Sequence, residues 1–249
     1  MQPHRSRYWL NPKPADPAEF DAQVKQICEI YAQTPSLHEQ GVHVLSTDEM
    51  TGIQALERTQ PTLPMQQGRV ERQEFEYERH GTQSLIANFE VATGQLVSPS
   101  LGPTRTEQDF ATHITQTLET DAAAPWLFIV DQLNIHQSES LVRLVAERCV
   151  PGLALGIKGE SGILESMATR AQFLQDATHR IRFIYTPKHS SWLNQIEIWF
   201  SILVRRLLKR ASFSSLEDMR QRILAFIAYF NQTMAKPFKW TYKGRPLSS

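Results

Sequence analysis

The sequence predicts an α/β protein built on a mixed central sheet flanked by helices, and three observations carry that expectation. Apolar-alternating and helix-periodic segments succeed one another as strand, meander, helix, strand, helix, strand, helix. Two of the predicted strands stop at an acid, Asp48 and Asp131. At 249 residues with 41% hydrophobic side chains, the chain can bury one sizeable core or at most two small ones. No apolar run approaches the roughly 20 residues of a bilayer span, and the polar, Pro-containing start lacks a signal peptide's apolar core. The reading is a cytoplasmic protein with no membrane partner. Cys28 and Cys149 are far apart, and neither has a second cysteine or a histidine at zinc-module spacing.

In chain order, HRSRYWLNPKP reads as a basic, aromatic arm, and PAEFDAQVKQICEIYAQ as a helix with Phe20, Val24, Ile27 and Ile30 or Tyr31 on one face. GVHVLSTDE alternates and predicts a strand that ends at Asp48. RQEFEYERHG, SLIANFEV and QLVSP, separated by HGT and ATG turns, predict an antiparallel meander. TRTEQDFATHITQTLETD is a helix opened by Thr104 or Thr106. PWLFIVDQLNIH then supplies the continuous apolar run of a strand buried on both faces, ending at Asp131. SESLVRLVAERC is an amphipathic helix with Ser138 as N-cap, and IRFIYTP a short strand halted by Pro187.

In YTPKHSSWLNQIEIWFSILVRRLLKR, Ser190 or Ser191 can cap a helix whose Leu193, Ile196, Phe200, Leu203 and Leu207 form a core-facing stripe. Asn194, Glu197 and Ser201 form a second stripe beside it. A carboxylate at the edge of a buried stripe is partly desolvated, which is costly unless positive charge meets it. Arg205, two turns away, meets it poorly; a bound cation meets it well. With Asp48 and Asp131 at neighbouring strand ends, three carboxylates would share one region, and divalent Mg²⁺ or Mn²⁺ relieves their repulsion. Two such ions can drive phosphodiester cleavage.

Charge supplies the partner. The formal net charge is zero, yet residues 179–249 hold thirteen Lys/Arg against three Asp/Glu, and residues 1–178 thirteen against twenty-three. A basic C-terminal third suits a phosphate backbone, while a solvated basic face is the plainer alternative. The candidate DNA contacts are Lys188, His189, Asn194, Arg205, Arg206, Lys209 and Arg210. His136, five residues past Asp131, reads first as a hydrogen-bonded loop histidine and second as a DNA or metal contact. Trp192 and Trp199 read as packing anchors, and Glu49 rivals Asp48 as a metal ligand.

LSTDEMTGIQALER, IVDQLNIHQS and TPKHSSWLNQIEIWFSILVRRLLKR resemble the three acid-bearing blocks of bacterial insertion-sequence transposases of the mariner superfamily, in the IS six-thirty branch. RHGTQSLIANFEVATG, LGPTRTEQDF and MAKPFKWTYKGRPL extend the resemblance over nearly the whole chain. It implies an RNase H-like fold with a DDE triad of Asp48, Asp131 and Glu197, each both catalytic residue and metal ligand. It also implies Mg²⁺ or Mn²⁺ as cofactor, two ions in number, and double-stranded DNA, both transposon ends and target, as partner. Strand cleavage at the ends followed by strand transfer, a TA target dinucleotide, cut-and-paste movement and homodimeric action complete what the resemblance implies.

Three departures stand out. Gln132 follows Asp131 where the family has Asn. Sixty-five residues separate Asp131 from Glu197, about twice the compact mariner spacing, and PGLALGIKGESGILESMATRAQ accounts for the surplus. The N-terminal helix-turn-helix region of the family has no counterpart in the sequence, and a separately encoded one is the expectation. The expected organisation is therefore an arm and helix over 1–40, a linker remnant, and a catalytic domain over 41–249 with an insertion at about 150–180. A non-catalytic DNA-binding remnant or regulator, and a stand-alone RNase H-like nuclease, are the two rival functions.

Overall fold

The structure, a computed structural model, describes residues 16–60, 63–72 and 74–242. The chain forms α1 (Pro17–Glu39), β1 (His43–Arg58), β2 (Tyr77–Glu90), β3 (Leu96–Gly102), α2 (Glu107–Glu119), β4 (Trp126–Val130), α3 (Glu139–Cys149), α4 (Met167–Leu174), β5 (Ile181–Tyr185), α5 (Ile196–Leu203) and α6 (Leu216–Thr233). The five strands make one mixed sheet in the order β3-β2-β1-β4-β5. β1, β2 and β3 pair antiparallel, whereas β4 and β5 add to β1 in parallel. This is the RNase H-like architecture expected from the sequence.

Strand alternation sorts the core into two layers. On one face Trp126, Phe128 and Val130 join Leu45 and Phe183 beneath α2, α3 and α4. On the other, Leu127 and Ile129 join Val44 and Ile184 beneath α1, while Leu85, Ala87 and Phe89 pack on α5 and α6. Both faces of β4 are thus covered, which is why WLFIV contains no polar residue; each of its five residues is buried. Burial of each such side chain contributes about 1.5 to 3 kcal/mol. The PGLALGIKGESGILESMATRAQ segment holds most of α4, and its Leu164, with Leu174 at the end of α4, is fully buried in the first layer.

The helix starts follow the capping rules. Asp16 accepts from the backbone N–H of Ala18 and Glu19, Thr106 and Asp109 form a capping box on α2, and Ser138 accepts from Leu141 on α3. The structure corrects several boundaries. α1 passes through Pro35 to Glu39. β1 does not stop at Asp48; its pairing with β2 carries it on to Arg58. HGT is not a turn, because β2 is continuous through it: Gly81 takes φ +112° where the register shifts between Gln54 and Leu56. Ser190 and Ser191 do not cap α5, since Ser191–Leu193 is a separate 3₁₀ turn. Gly94, in the turn that ATG does form, has φ +75°, and a Cβ there would lie 2.1 Å from the Lys236 carbonyl oxygen. That close approach lets the C-terminal segment cross the sheet and stack Phe238 on Phe89 at 4.5 Å.

Candidate active site

β1 and β4 run in parallel with His43 beside Trp126 and Ser46 beside Ile129, a constant offset of 83 residues. Continuing that offset by two residues sets position 48 beside position 131. Position 48 follows the last parallel pairing on β1, and position 131 follows the end of β4. Apolar side chains fill the interior of the pair, and the two acids occupy the rim where the sheet opens to solvent. Alternation turns Asp48 toward the face that carries α5, while Asp131 lies just past the end of β4.

Glu197 lies in the first turn of α5. That helix has no side-chain cap of its own; Ser46 of β1 supplies the acceptor, taking the Ile196 N–H at 3.0 Å. The Ser46 hydroxyl in turn donates to Asn194 Oδ1. Asn194 Nδ2 donates to the Thr47 carbonyl at 2.9 Å and to Asp48 Oδ2 at 3.3 Å. The Tyr31 hydroxyl fixes the same loop by donating to the Leu193 carbonyl at 2.7 Å. The helix bearing the third acid is therefore pinned to the strand bearing the first. Asn194 corrects the sequence expectation: at 1% exposure it faces inward and orients Asp48, and it offers nothing to DNA.

Behind the rim lies a buried polar chain. His136 sits in the 3₁₀ turn Asn134–Gln137. Its Nδ1 is 2.8 Å from Asp131 Oδ1 and its Nε2 is 2.9 Å from Glu49 Oε1. Both the His136 and Glu49 side chains are fully enclosed. Arg105 approaches the other Glu49 oxygen at 4.0 Å. Of the two readings of His136, the hydrogen-bonded loop histidine fits. Glu49 turns to the opposite face from Asp48, as its neighbour on a strand must, so it serves His136 and not the rim.

The electrostatics follow from these contacts. Burial, the neighbouring Asp131 and Glu49 charges, and only partial relief from the Glu49 N–H push Asp48 up to about 7. Burial and then Asp131 also raise Glu197. Burial would raise Asp131 too, but hydrogen bonding and charge from His136, the Leu133 N–H and the Arg105 charge hold it below the usual range. Burial would lower His136, but its bonds to Asp131 and Glu49 carry it to about 10. The rim thus holds one carboxylate kept ionised from behind and two that resist ionisation.

Such a donor set suits a divalent cation: hard carboxylate oxygens, mutually repelling, open on the solvent side. Asp48, Asp131 and Glu197 do not close around a single point, however. Among the described residues, the only three acidic or histidine side chains with ligand atoms mutually within 4.8 Å are Glu57, Glu78 and His80, on the β1–β2 hairpin. A wider triad accords with repulsion between the acids.

Lys188 and His189 are exposed on the loop before α5, with His189 at φ +61°. Arg205, Arg206, Lys209 and Arg210 are exposed along the π-helical turn Val204–Leu208 and just beyond it. Among the described residues none of those four is ion-paired. Arg205, Arg206 and Arg210 line a cleft of about 400 Å³. Trp199 is fully buried, whereas Trp192 is 47% exposed and meets Tyr242 edge-on at 5.0 Å. Gln132 Nε2 donates to the Thr186 carbonyl at 3.0 Å, tying the ends of β4 and β5. Sequence reasoning missed Ser46, Arg105 and the part played by Asn194. Their signal is long-range pairing, since 148 residues separate Ser46 from Asn194, and no local pattern encodes it.

A parallel sheet end carrying acids, walled by a helix carrying a third, defines a class of nucleic-acid-processing enzymes, and the comparisons agree. Residues 43–220 match the family model of the DDE superfamily endonucleases, and the chain belongs to that family. Among solved structures it resembles the Mos1 mariner paired-end complex with Mn, at TM-score 0.52 and 11% identity, covering 90% of this chain and 59% of that one. It resembles a pre-cleavage Mos1 transpososome equally, at TM-score 0.52 and 12% identity over 90% of this chain and 59% of that one. At these identities the likeness is one of fold. The chain spans about three-fifths of the length of the Mos1 transposase chains it matches. No curated protein sequence matches it.

Proposed function

We propose that this chain is the catalytic portion of a mariner-superfamily transposase of the IS six-thirty branch, cleaving DNA strands at transposon ends and joining them to target DNA. The observation that carries the reading is the register of β1 and β4, which sets Asp48 beside Asp131 within the matched family region, with Glu197 on the helix pinned to β1. In this reading Asp48, Asp131 and Glu197 are the catalytic triad. Asp48 and Asp131 share the metal, Mg²⁺ or Mn²⁺, and Glu197 holds the second ion. Bound ions at such a site activate a water or a 3′ hydroxyl and stabilise the leaving oxygen.

The chain's own groups do the rest. Asn194 and the Glu49 N–H hold the Asp48 carboxylate in place. Lys188, His189, Arg205, Arg206, Lys209 and Arg210 hold the phosphates of double-stranded DNA beside Glu197. Residues 1–40 act as arm and linker, and 41–249 as the catalytic domain with its insertion at about 150–180. A dimer working in the cytoplasm, with end recognition supplied by a helix-turn-helix region, completes the proposal.

Nicking of supercoiled plasmid in Mn²⁺ tests it. The wild-type chain should nick, and Asp131→Asn and Glu197→Gln should not; full activity in either variant sinks the assignment. Wild-type protein that binds DNA and never cuts it would mark a non-catalytic remnant, and cutting confined to branched junctions a stand-alone nuclease.

A further inference from the structure

We propose that His136 is a positioning residue for Asp131, the terminal link of a buried Glu49–His136–Asp131 chain that fixes which carboxylate oxygen faces the metal. The inference rests on the triad reading above and deepens it. His136 has no freedom to turn. Its side chain is fully enclosed, its ring lies 4.5 Å from that of Phe110, and its backbone carbonyl accepts from the Tyr185 hydroxyl at 2.9 Å. Each ring nitrogen faces a carboxylate oxygen, Glu49 Oε1 at 2.9 Å and Asp131 Oδ1 at 2.8 Å.

The contacts on Asp131 are one-sided. The Leu133 N–H donates to Oδ1 at 2.9 Å, and His136 Nδ1, which also meets the Asp131 backbone carbonyl at 3.1 Å, lies 2.8 Å from the same oxygen. One hydrogen bond and one close charge contact on the same oxygen bias the carboxylate plane and leave Oδ2 as the oxygen for a cation. Supporting groups of this kind orient metal ligands and commonly carry ten- to hundredfold of metal affinity, about as much as a weak ligand itself.

A merely structural role fits less well. His136 meets Glu49 Oε1 alone; Oε2 is buried without a hydrogen-bond partner, and the Arg105 guanidinium stands 4.0 Å from it. An incompletely satisfied buried charge is an expensive fastener, and apolar packing would join β1 to the 3₁₀ turn at lower cost. The chain terminates at the one acid that the family's second block supplies, and its function lies there.

Two near-isosteric variants of the full chain separate the possibilities. His136→Asn keeps a donor close to the Nδ1 position, toward Asp131; His136→Gln keeps one close to Nε2, toward Glu49. Both remove the ring and its charge, so the difference between them reads orientation. Mn²⁺ dissociation constants, taken from the electron paramagnetic resonance signal of free Mn²⁺, should be about tenfold or more weaker for His136→Gln than for His136→Asn. Plasmid nicking should follow the same order.

Equal affinities within about twofold, or the reverse order, overturn the inference while Asp131→Asn still shows the loss expected of a ligand. Wild-type protein that binds no Mn²⁺, or Asp131→Asn that binds it equally well, overturns the triad reading and this inference with it. Should either histidine variant fail to fold by circular dichroism, Glu49→Gln replaces it. Its amide preserves shape, so weaker Mn²⁺ binding at an unchanged urea midpoint supports the chain, and unchanged binding overturns it.

Discussion

β1 contributes an acid to each of two clusters, Glu57 to one and Asp48 to the other, and the clusters differ in a way that distance does not capture. Glu57, Glu78 and His80 on the hairpin lie close enough together to embrace an ion, yet Glu78 is exposed and Glu57 is bonded to His80 at 2.7 Å. Asp48, Asp131 and Glu197 are less tightly drawn, but the Asp48 and Asp131 carboxylates are tethered by hydrogen bonds, Glu197 stands exposed at the start of α5, and burial pushes Asp48 and Glu197 toward the neutral form. A carboxylate in water has little to gain from a cation, because water already solvates it; a desolvated carboxylate has much to gain. Proximity is cheap on a surface. Asp48 is the acid the fold has placed at a cost.

The sharpest break between the two groups is catalytic. Glu197→Gln or Asp131→Asn should lower Mn²⁺-dependent nicking by about a hundredfold or more, whereas Glu57→Gln should leave the rate within about twofold; a nicking time course reads both. The second effect is on stability without metal. A folded-state value near 7 lies above the 3.8 of the free side chain, so folded Asp48 binds its proton more tightly than the unfolded chain does. The stabilisation is complete below pH 4 and lost as pH rises through 7. In EDTA the melting temperature should fall between pH 5 and 8, and Asp48→Asn should remove about 2 to 4 kcal/mol of that dependence at most. His136, raised to about 10, adds a loss in the same direction only above its ordinary value of 6.5. A slope unchanged in Asp48→Asn would show that its carboxyl is better solvated than the geometry implies.

A third effect is smaller. Removing Arg205 and Arg206 together should weaken binding to any duplex and reduce the slope of log affinity against log salt by about 2, one per lost phosphate contact. Fluorescence anisotropy on random and end-derived duplexes at two salt concentrations measures it. Smallest of all, Glu78→Gln should change stability by no more than about 0.5 kcal/mol, with the Mn²⁺-induced rise in melting temperature intact. A lost rise would transfer the metal to the hairpin.

Much of this molecule is readable as sequence because its strongest signals are local. The unbroken apolar run of β4, the caps at Thr106 and Ser138, and the acids at the rim all declare themselves within a few residues. The errors arose where partners are distant. β1 seems to end at Asp48 because its parallel neighbour ends there, while its antiparallel neighbour carries it further. Asn194 has the chemistry of a DNA contact, and only the return of its loop onto Ser46 and Thr47 turns it inward. Glu49 and His136 sit beside the two aspartates in sequence, yet their pairing depends on strand alternation across two separate strands.

The central place of β1 also bears on how the enzyme comes into being. β2 and β3 follow β1 along the chain as its antiparallel meander and can pair as they are made, whereas β4 must return to β1, and β5 to β4, through helical crossovers, which is slower. During synthesis Asp48 therefore waits at an unpaired edge while the residues up to Glu197 emerge from the ribosome. A chain interrupted anywhere before that point holds an incomplete set of acids. Asp48, Asp131 and Glu197 therefore come together only once the last parallel strand and the helix after it have docked.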